Sequence, residues 1–497
     1  MSALVPPAAL GAWRRVRRHA VPPAMIAAAT EARLAGGWRA ACAEAGVRIE
    51  ASPAQLARFA DDLQFLAPDL VRWHLPRNVA RGDTTLSPRR RVVLVQRGDA
   101  ALVMQTPRVG PGPQLLTLVV LDSLDDGRFA VEDWTHRRYL WDARRTGELA
   151  GAVSGPRALE MLRLQDAGRV LEAWAAAGVE IPPPSEEAGD RHALFRNRQL
   201  LFSFVRLDAD PSCLLAAARE RGGPTASFDV SHYGELRVHD LQTDRPFGEW
   251  TKAMGYNGSR PPDRVPVAEY LRPIDLHLLR FGVLSPAQLH PLVGPVLAPF
   301  WSGSSYAGAD PWDGPVRVRC RGEWHELGWS GGRLTVPHSD DERRREETLL
   351  ALGGQLQGCF AAAQAWRDRS ARLPRRLEEQ RRDLMLRAQH GDLAGVLRLL
   401  DAGVDPLARD PHGRTLLHFL PELLSRLLAA GLDVDARDRR GRTALHTAIH
   451  GNASVALVRS LIDAGARTDV ADDIGDTLVD DYRRHRPDLA LLDPLRP

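Results

Sequence analysis

The chain contains only four cysteines, Cys42, Cys213, Cys320 and Cys359, in 497 residues. They stand far apart with no paired spacing. That argues against a disulfide framework or a cysteine-rich zinc site and reads as reduced thiols in a cytoplasmic protein. Lysine is scarcer still: of 66 basic residues, Lys252 alone is not arginine. Long apolar runs are missing. The stretches are short, such as Leu118–Leu121, whereas a spanning helix needs about 20 apolar residues, so no transmembrane segment is expected. The amino terminus places apolar residues first and Arg14, Arg15, Arg17 and Arg18 after them, the reverse of a secretory signal. An excess of one charge is absent too, since 63 acidic residues leave a net charge of +3. This excludes a polybasic nucleic-acid coat or an acidic tail protein. Aromatic residues nearly vanish after Trp366, where only Phe419 and Tyr482 follow, which implies two kinds of core in one chain.

Motifs that announce chemistry are equally sparse. There is no phosphate-binding Gly-x-x-x-x-Gly-Lys loop, no Gly-x-Ser-x-Gly elbow and no His-Glu-x-x-His helix. Gly110-Pro-Gly112-Pro carries prolines where a dinucleotide loop needs backbone donors. Two groups could hold a metal. In Asp229, His232, Glu235, His239 and Asp240, strand alternation puts Glu235 and His239 on one face and His232 on the other. In Glu323-Trp-His325-Glu326, Glu323 and His325 share a face and Glu326 opposes them. These read as a solvated strand edge and a partly exposed hairpin, so neither a metal nor a cofactor is expected. The arginine runs 14–18 and 89–91 are short and read as solvated surface, so nucleic-acid binding is not expected.

What the chain does have is ordinary globular composition, 44% apolar and 26% charged, and a readable order of elements. Residues 1–80 read as helical, with Ser52-Pro53 a helix start. From about 90 the period changes to short β-type runs at Arg91–Arg97, Ala101–Thr106, Leu115–Leu121 and Arg128–Val131. Together these suggest an antiparallel meander. Leu159–Ala177 returns to helical spacing and ends at Gly178. Ile181–Asp190 reads as a linker. Beyond it, Leu194–Leu207 is strand-like, Cys213–Arg221 is helical, and Pro266–Leu284 with Ser285–Leu297 suggests a helix pair. Val316–Cys320, Trp324–Trp329 and Leu334–Val336 form hairpin-like runs, and Ser339-Asp-Asp-Glu342 is a capping-box pattern opening a charged helix.

The carboxy-terminal part repeats itself. Asp410-Pro-His-Gly413-Arg-Thr415-Leu-Leu-His418 is echoed by Asp438-Arg-Arg-Gly441-Arg-Thr443-Ala-Leu-His446, and more weakly by Asp472-Asp-Ile-Gly475-Asp-Thr477. Helix ends recur at Gly403, Gly431 and Gly465. Gly441 and Gly475 are 34 apart, as are Gly431 and Gly465; the preceding interval is 28 for both landmarks, so the middle repeat is trimmed internally. This pattern resembles the ankyrin repeat over roughly residues 383–480. The resemblance implies stacked helix pairs joined by projecting turns, and protein–protein interaction as the function. The usual proline of the Thr-Pro-Leu-His tetrapeptide is Leu416 in one copy and Ala444 in the next. Thr415 and Thr443 are expected to cap helices, with His418 and His446 hydrogen-bonded to them.

The front region also resembles ankyrin-bearing proteins of high-GC bacteria, in Trp73–Arg77, Leu284–Val293 and Cys320–Glu326. That likeness carries no activity with it. The expected architecture is an α+β amino-terminal region of helices, an antiparallel meander and hairpins, followed by an all-α ankyrin-type stack. Its divisions are 1–180, 191–380 and 381–497, the last holding about three repeats plus a terminal half-repeat. Candidate protein-binding residues are His412, Arg414, Arg439, Arg440, Arg442, Asp473 and Asp476, facing a partner with an acidic patch. The expected function is an intracellular adaptor or scaffold. The alternative is an enzyme or effector in 1–380 that the repeats target or restrain.

Overall fold

The computed structural model describes residues 7–77, 84–108, 110, 113–124, 129–153, 156–167, 169–181, 215, 218–219, 222–231, 234–252, 273–299, 316–330, 333–367, 373–451, 453–473, 475 and 477–478. The chain divides into two compact units. One comprises Met1–Thr84, Arg89–Gln105 and Thr117–Tyr306; the other comprises Thr85–Pro88, Thr106–Leu116 and Ala307–Pro497.

The first unit begins with helices Pro7–His19, Pro23–Leu34 and Trp38–Glu44. Ser52 caps the Pro53–Ala57 helix through a reciprocal box with Gln55, as the Ser-Pro pair predicts. Residues 1–80 are not wholly helical, because β1 (Val47–Glu50) joins a five-stranded sheet. The other strands are β2 (Arg90–Arg97), β3 (Ala100–Gln105), β4 (Leu116–Leu121) and β5 (Ala130–Asp133), in the order β1-β4-β3-β2-β5. Gly98, at φ 59°, occupies the first central position of the two-residue β2–β3 turn, where only glycine adopts that conformation freely.

The expected meander holds for β2, β3 and β4, which pair antiparallel. Strand β5 does not extend it. It returns to the far side of β2 and pairs with it parallel, Arg91 opposite Val131. The sheet is therefore mixed. Burial along β2 and β3 runs without alternation, the mark of a sheet covered on both faces.

A second sheet in this unit places β6 (Ala226–Ser231), β7 (Gly234–His239) and β8 (Phe247–Lys252) antiparallel in that order. The expected strand at Leu194–Leu207 lies outside the described residues. Of the expected helix pair at 266–297, residues 266–272 lie outside the described residues; the rest holds a helix at Ile274–Arg280, one 3-10 turn at Pro286–Gln288 and one turn at Gly294–Leu297. Prolines 286, 291 and 295 remove backbone donors that a longer helix would need. Leu278, Leu284, Leu289 and Val293 from this segment share a core with Val16, Met25, Leu70 and Trp73.

The second unit contains an antiparallel three-stranded sheet of β9 (Val316–Cys320), β10 (Glu323–Ser330) and β11 (Arg333–Thr335). Helix Asp340–Ala351 follows, capped by Ser339 and Glu342, then Gly358–Arg367. The repeats contribute helices Arg375–His390, Leu393–Asp401, Leu424–Ala429, Ala444–His450 and Val455–Asp463. In the trimmed middle repeat the first helix is only the 3-10 turn Leu416–His418, and Pro421 opens another at Pro421–Leu423. One hydrophobic core runs from Val316, Val318 and Leu327 through Cys359, Trp366 and Leu384 to Leu445, Leu461 and Leu478. A hairpin cannot bury its apolar face alone, and neither can the first helix of a repeat stack. Here the two contribute to one core that continues across position 380.

Candidate functional site

The repeat landmarks assemble into three projecting turns. In the first two, a buried aspartate begins the turn and organises it. Asp410 Oδ1 accepts the backbone N–H groups of His412 and Arg414, and Asp438 Oδ1 accepts those of Arg440 and Arg442. Adjacent turns are joined by backbone hydrogen bonds: Arg439 N–H donates to the His412 carbonyl, and Asp473 N–H to the Arg440 carbonyl. Gly441, at φ 72°, is required twice over. A Cβ there would lie 3.2 Å from the Asp473 backbone nitrogen and 2.9 Å from its Oδ1, so the neighbouring turn could not come as close.

Behind each of the first two turns a threonine opens a helical turn and a histidine completes the cap. Thr415 N–H donates to His418 Nδ1 at 3.1 Å, and the Thr415 hydroxyl lies 2.9 Å from the same nitrogen. Thr443 and His446 repeat these two distances. His418 Nε2 lies 3.0 Å from the Arg442 carbonyl of the next repeat. A backbone donor at Nδ1 and a carbonyl at Nε2 both call for the neutral ring protonated on Nε2. Burial pushes the His418 ring down to about 4, although the Arg442 carbonyl pulls the other way. Gly403, Gly413, Gly431, Gly465 and Gly475 all have positive φ, as ends of helices and turns in the left-handed region do.

The seven candidate contact residues separate into two classes. Arg414 donates to Asp410 and is tied back to it at 2.7 Å; Arg442 does the same with Asp438 at 2.7 Å. Their side chains are only 12% and 13% exposed, so both guanidinium groups serve their own turns. His412, Arg439, Arg440 and Asp473 are exposed, as is Arg437. Asp476 lies outside the described residues.

Acid, histidine and arginine groups do converge in the first unit, but inside it. Asp275 accepts from Arg17 Nε at 2.6 Å, Arg17 Nη2 at 3.0 Å and Trp73 Nε1 at 2.9 Å. His290 Nε2 lies 3.0 Å from Asp69. Each of these five side chains is at most 5% exposed, so the group is a closed polar core that pins the first helix to the 274–280 helix. The arginine runs are likewise not wholly solvated surface. Arg17 belongs to this core, and the buried Arg91 stacks its guanidinium 4.6 Å from the Phe129 ring and donates to the Leu124 carbonyl.

Of the metal-capable group on β6 and β7, His232 lies outside the described residues. Asp229 and Glu235 are opposed in the strand register, and His239 pairs with Glu249 of β8 at 3.1 Å. In the 323–326 stretch Glu323, Trp324 and Glu326 are exposed and His325 is half-buried. Sequence reasoning missed what His325 meets. The fold brings it to His338 and to two buried cysteines, Cys320 and Cys359, which are 39 positions apart in the chain. The available signal was the Cys320-Arg-Gly-Glu hairpin turn, which places a cysteine beside the strand that carries His325. Burial, with the neighbouring Cys320, pushes the Cys359 thiol up to about 12.

Among the described residues, no helix is long and apolar enough to cross a membrane. None of the curated proteins matches the chain in sequence. Ankyrin repeats, in three copies, match residues 384–472.

Proposed function

We propose that the chain is a protein–protein interaction adaptor or scaffold whose contact surface is the row of projecting turns in its ankyrin repeats. Ankyrin repeats generally mediate protein–protein interaction. The observation that carries the reading is the split among the turn arginines. Arg414 and Arg442 are consumed by Asp410 and Asp438, while Arg437, Arg439 and Arg440 extend from a hydrogen-bonded, rigid frame into solvent. Cations on a preorganised frame suit an acidic patch on a protein partner, with Asp473 at the next turn grading the charge. The buried thiols Cys42, Cys320 and Cys359 support a reducing, cytoplasmic setting.

The test is charge reversal in the full chain followed by affinity capture with identification of the bound proteins. Arg439→Glu together with Arg440→Glu should remove partners while leaving the melting temperature unchanged, because exposed positions of this kind cost at most about 0.5 kcal/mol. Arg442→Glu should instead set two carboxylates against each other in a buried turn and destabilise the protein by about 2–4 kcal/mol. Capture that survives the double reversal would remove this surface from consideration.

An enzymatic role for the Asp275 and Asp69 groups would need solvent to reach them. Both are buried, at 0% and 1% exposed, which suits a structural role for this cluster.

A further inference from the structure

We propose that Cys320, His325, His338 and Cys359 bind a zinc ion that staples the β9–β10 hairpin to the Gly358–Arg367 helix. The four ligand atoms come from four separate places: the end of β9, the middle of β10, the residue before the Ser339 cap, and the first turn of the helix. All lie within 4.8 Å of one another.

The distances fit one small tetrahedral ion. Zinc bonds of about 2.3 Å to sulfur and 2.05 Å to nitrogen set tetrahedral edges of about 3.5 Å for S···N and about 3.3 Å for N···N. Cys320 Sγ lies 3.6 Å from His338 Nε2, Cys359 Sγ lies 3.5 Å from His325 Nδ1, and the two histidine nitrogens are 3.1 Å apart. Two thiolates and two imidazoles form a donor set suited to zinc, and four protein ligands leave no open position, so the ion is structural. On binding, each thiol passes its proton to solvent as its sulfur forms the bond to the metal. The two thiolates then neutralise the dication.

The surroundings are built for this. Cys320 faces Glu323 across the hairpin, and Val318 faces His325, so the cysteine and the histidine project from the same face. The turn between the strands, Arg321 at φ 51° and Gly322 at φ 95°, is the two-residue type with both central residues left-handed. Gly358 lets the helix approach: at φ 56°, a Cβ there would lie 2.6 Å from Cys320 Sγ and 2.9 Å from its Cα. Cys359 stands in the first turn of the Gly358–Arg367 helix. His338 Nδ1 lies 3.5 Å from Glu342 Oε2. That carboxylate also accepts from the Ser339 backbone, so the helix cap holds the outer carboxylate that orients a metal-binding imidazole.

The full chain, purified under reducing conditions from zinc-supplemented culture, should contain about one zinc per chain by elemental analysis. After chelation and loading with cobalt(II), it should show the visible bands of a tetrahedral site and a near-ultraviolet thiolate-to-cobalt charge-transfer band. Cys320→Ser with Cys359→Ser should abolish both zinc and charge transfer. Glu342→Gln should weaken zinc binding about 10–100-fold. A chain without zinc that gives no tetrahedral cobalt spectrum would overturn the proposal. So would zinc retained in full by the double serine variant, iron in place of zinc, or bound cobalt with no thiolate band. If the double variant aggregates, the cobalt spectrum of the unsubstituted chain still decides.

Discussion

A histidine three residues after a helix-opening threonine can complete the cap only while its Nδ1 is bare. At His418 that nitrogen receives the Thr415 backbone N–H, and a second proton on the ring would meet that donor head-on. The sign of the pH effect follows. The folded ring titrates at about 4 and the unfolded ring at about 6.5, so between these values the unfolded chain holds more protons. Stability is complete above about pH 6.5 and falls as acid is added toward pH 4, by about 3 kcal/mol at the limit. Hydrogen exchange of the 444–450 amides at pH 7.5 and pH 5 should show protection falling with acid. The slope should flatten in His418→Gln; an equal slope in both proteins would place the titration elsewhere. The Thr-x-x-His spacing made the local half of this contact legible. The other half, Nε2 against the carbonyl of Arg442, depends on the next repeat stacking behind it.

At the scale of elements, β2, β3 and β4 were legible as short β-type runs between turn residues, β9 and β10 as hairpin-like runs, and the Asp340–Ala351 helix from its capping box. What the patterns do not contain is partnership. A short strand such as Ala130–Asp133 carries no mark of the edge it will join, and its parallel pairing with β2 requires a crossover that local preference cannot specify. The contact between the β9–β10 hairpin and the Gly358–Arg367 helix is of the same kind, and Gly358 is its narrowest point. Gly358→Ala combines left-handed strain with a methyl group driven into Cys320. It should destabilise the protein by about 2–4 kcal/mol, read as a lower denaturation midpoint. Gly353→Ala is also left-handed but meets nothing within 4 Å, so it should cost only the strain.

At the scale of the molecule, the loss of aromatics after Trp366 marks where small, stacked apolar side chains take over. The core does not stop there. Trp366 packs edge-on against Trp329 at 4.6 Å between ring centroids, and both belong to the core that continues to Leu478. A fragment of residues 316–497 should therefore melt more cooperatively and at a higher temperature than one of 381–497, followed by circular dichroism. Equal melting curves would mean that the repeats stand without the hairpin and its helix.

The sequence by itself determined the repeat register, the capping residues, the turn glycines and most strands, because each depends on neighbours within a few positions. The tertiary structure alone decided which arginines face solvent, how β5 joins its sheet, and that two distant cysteines meet two histidines. Those outcomes follow from buried apolar faces and paired charges seeking partners across tens of residues, a search whose result no local spacing records.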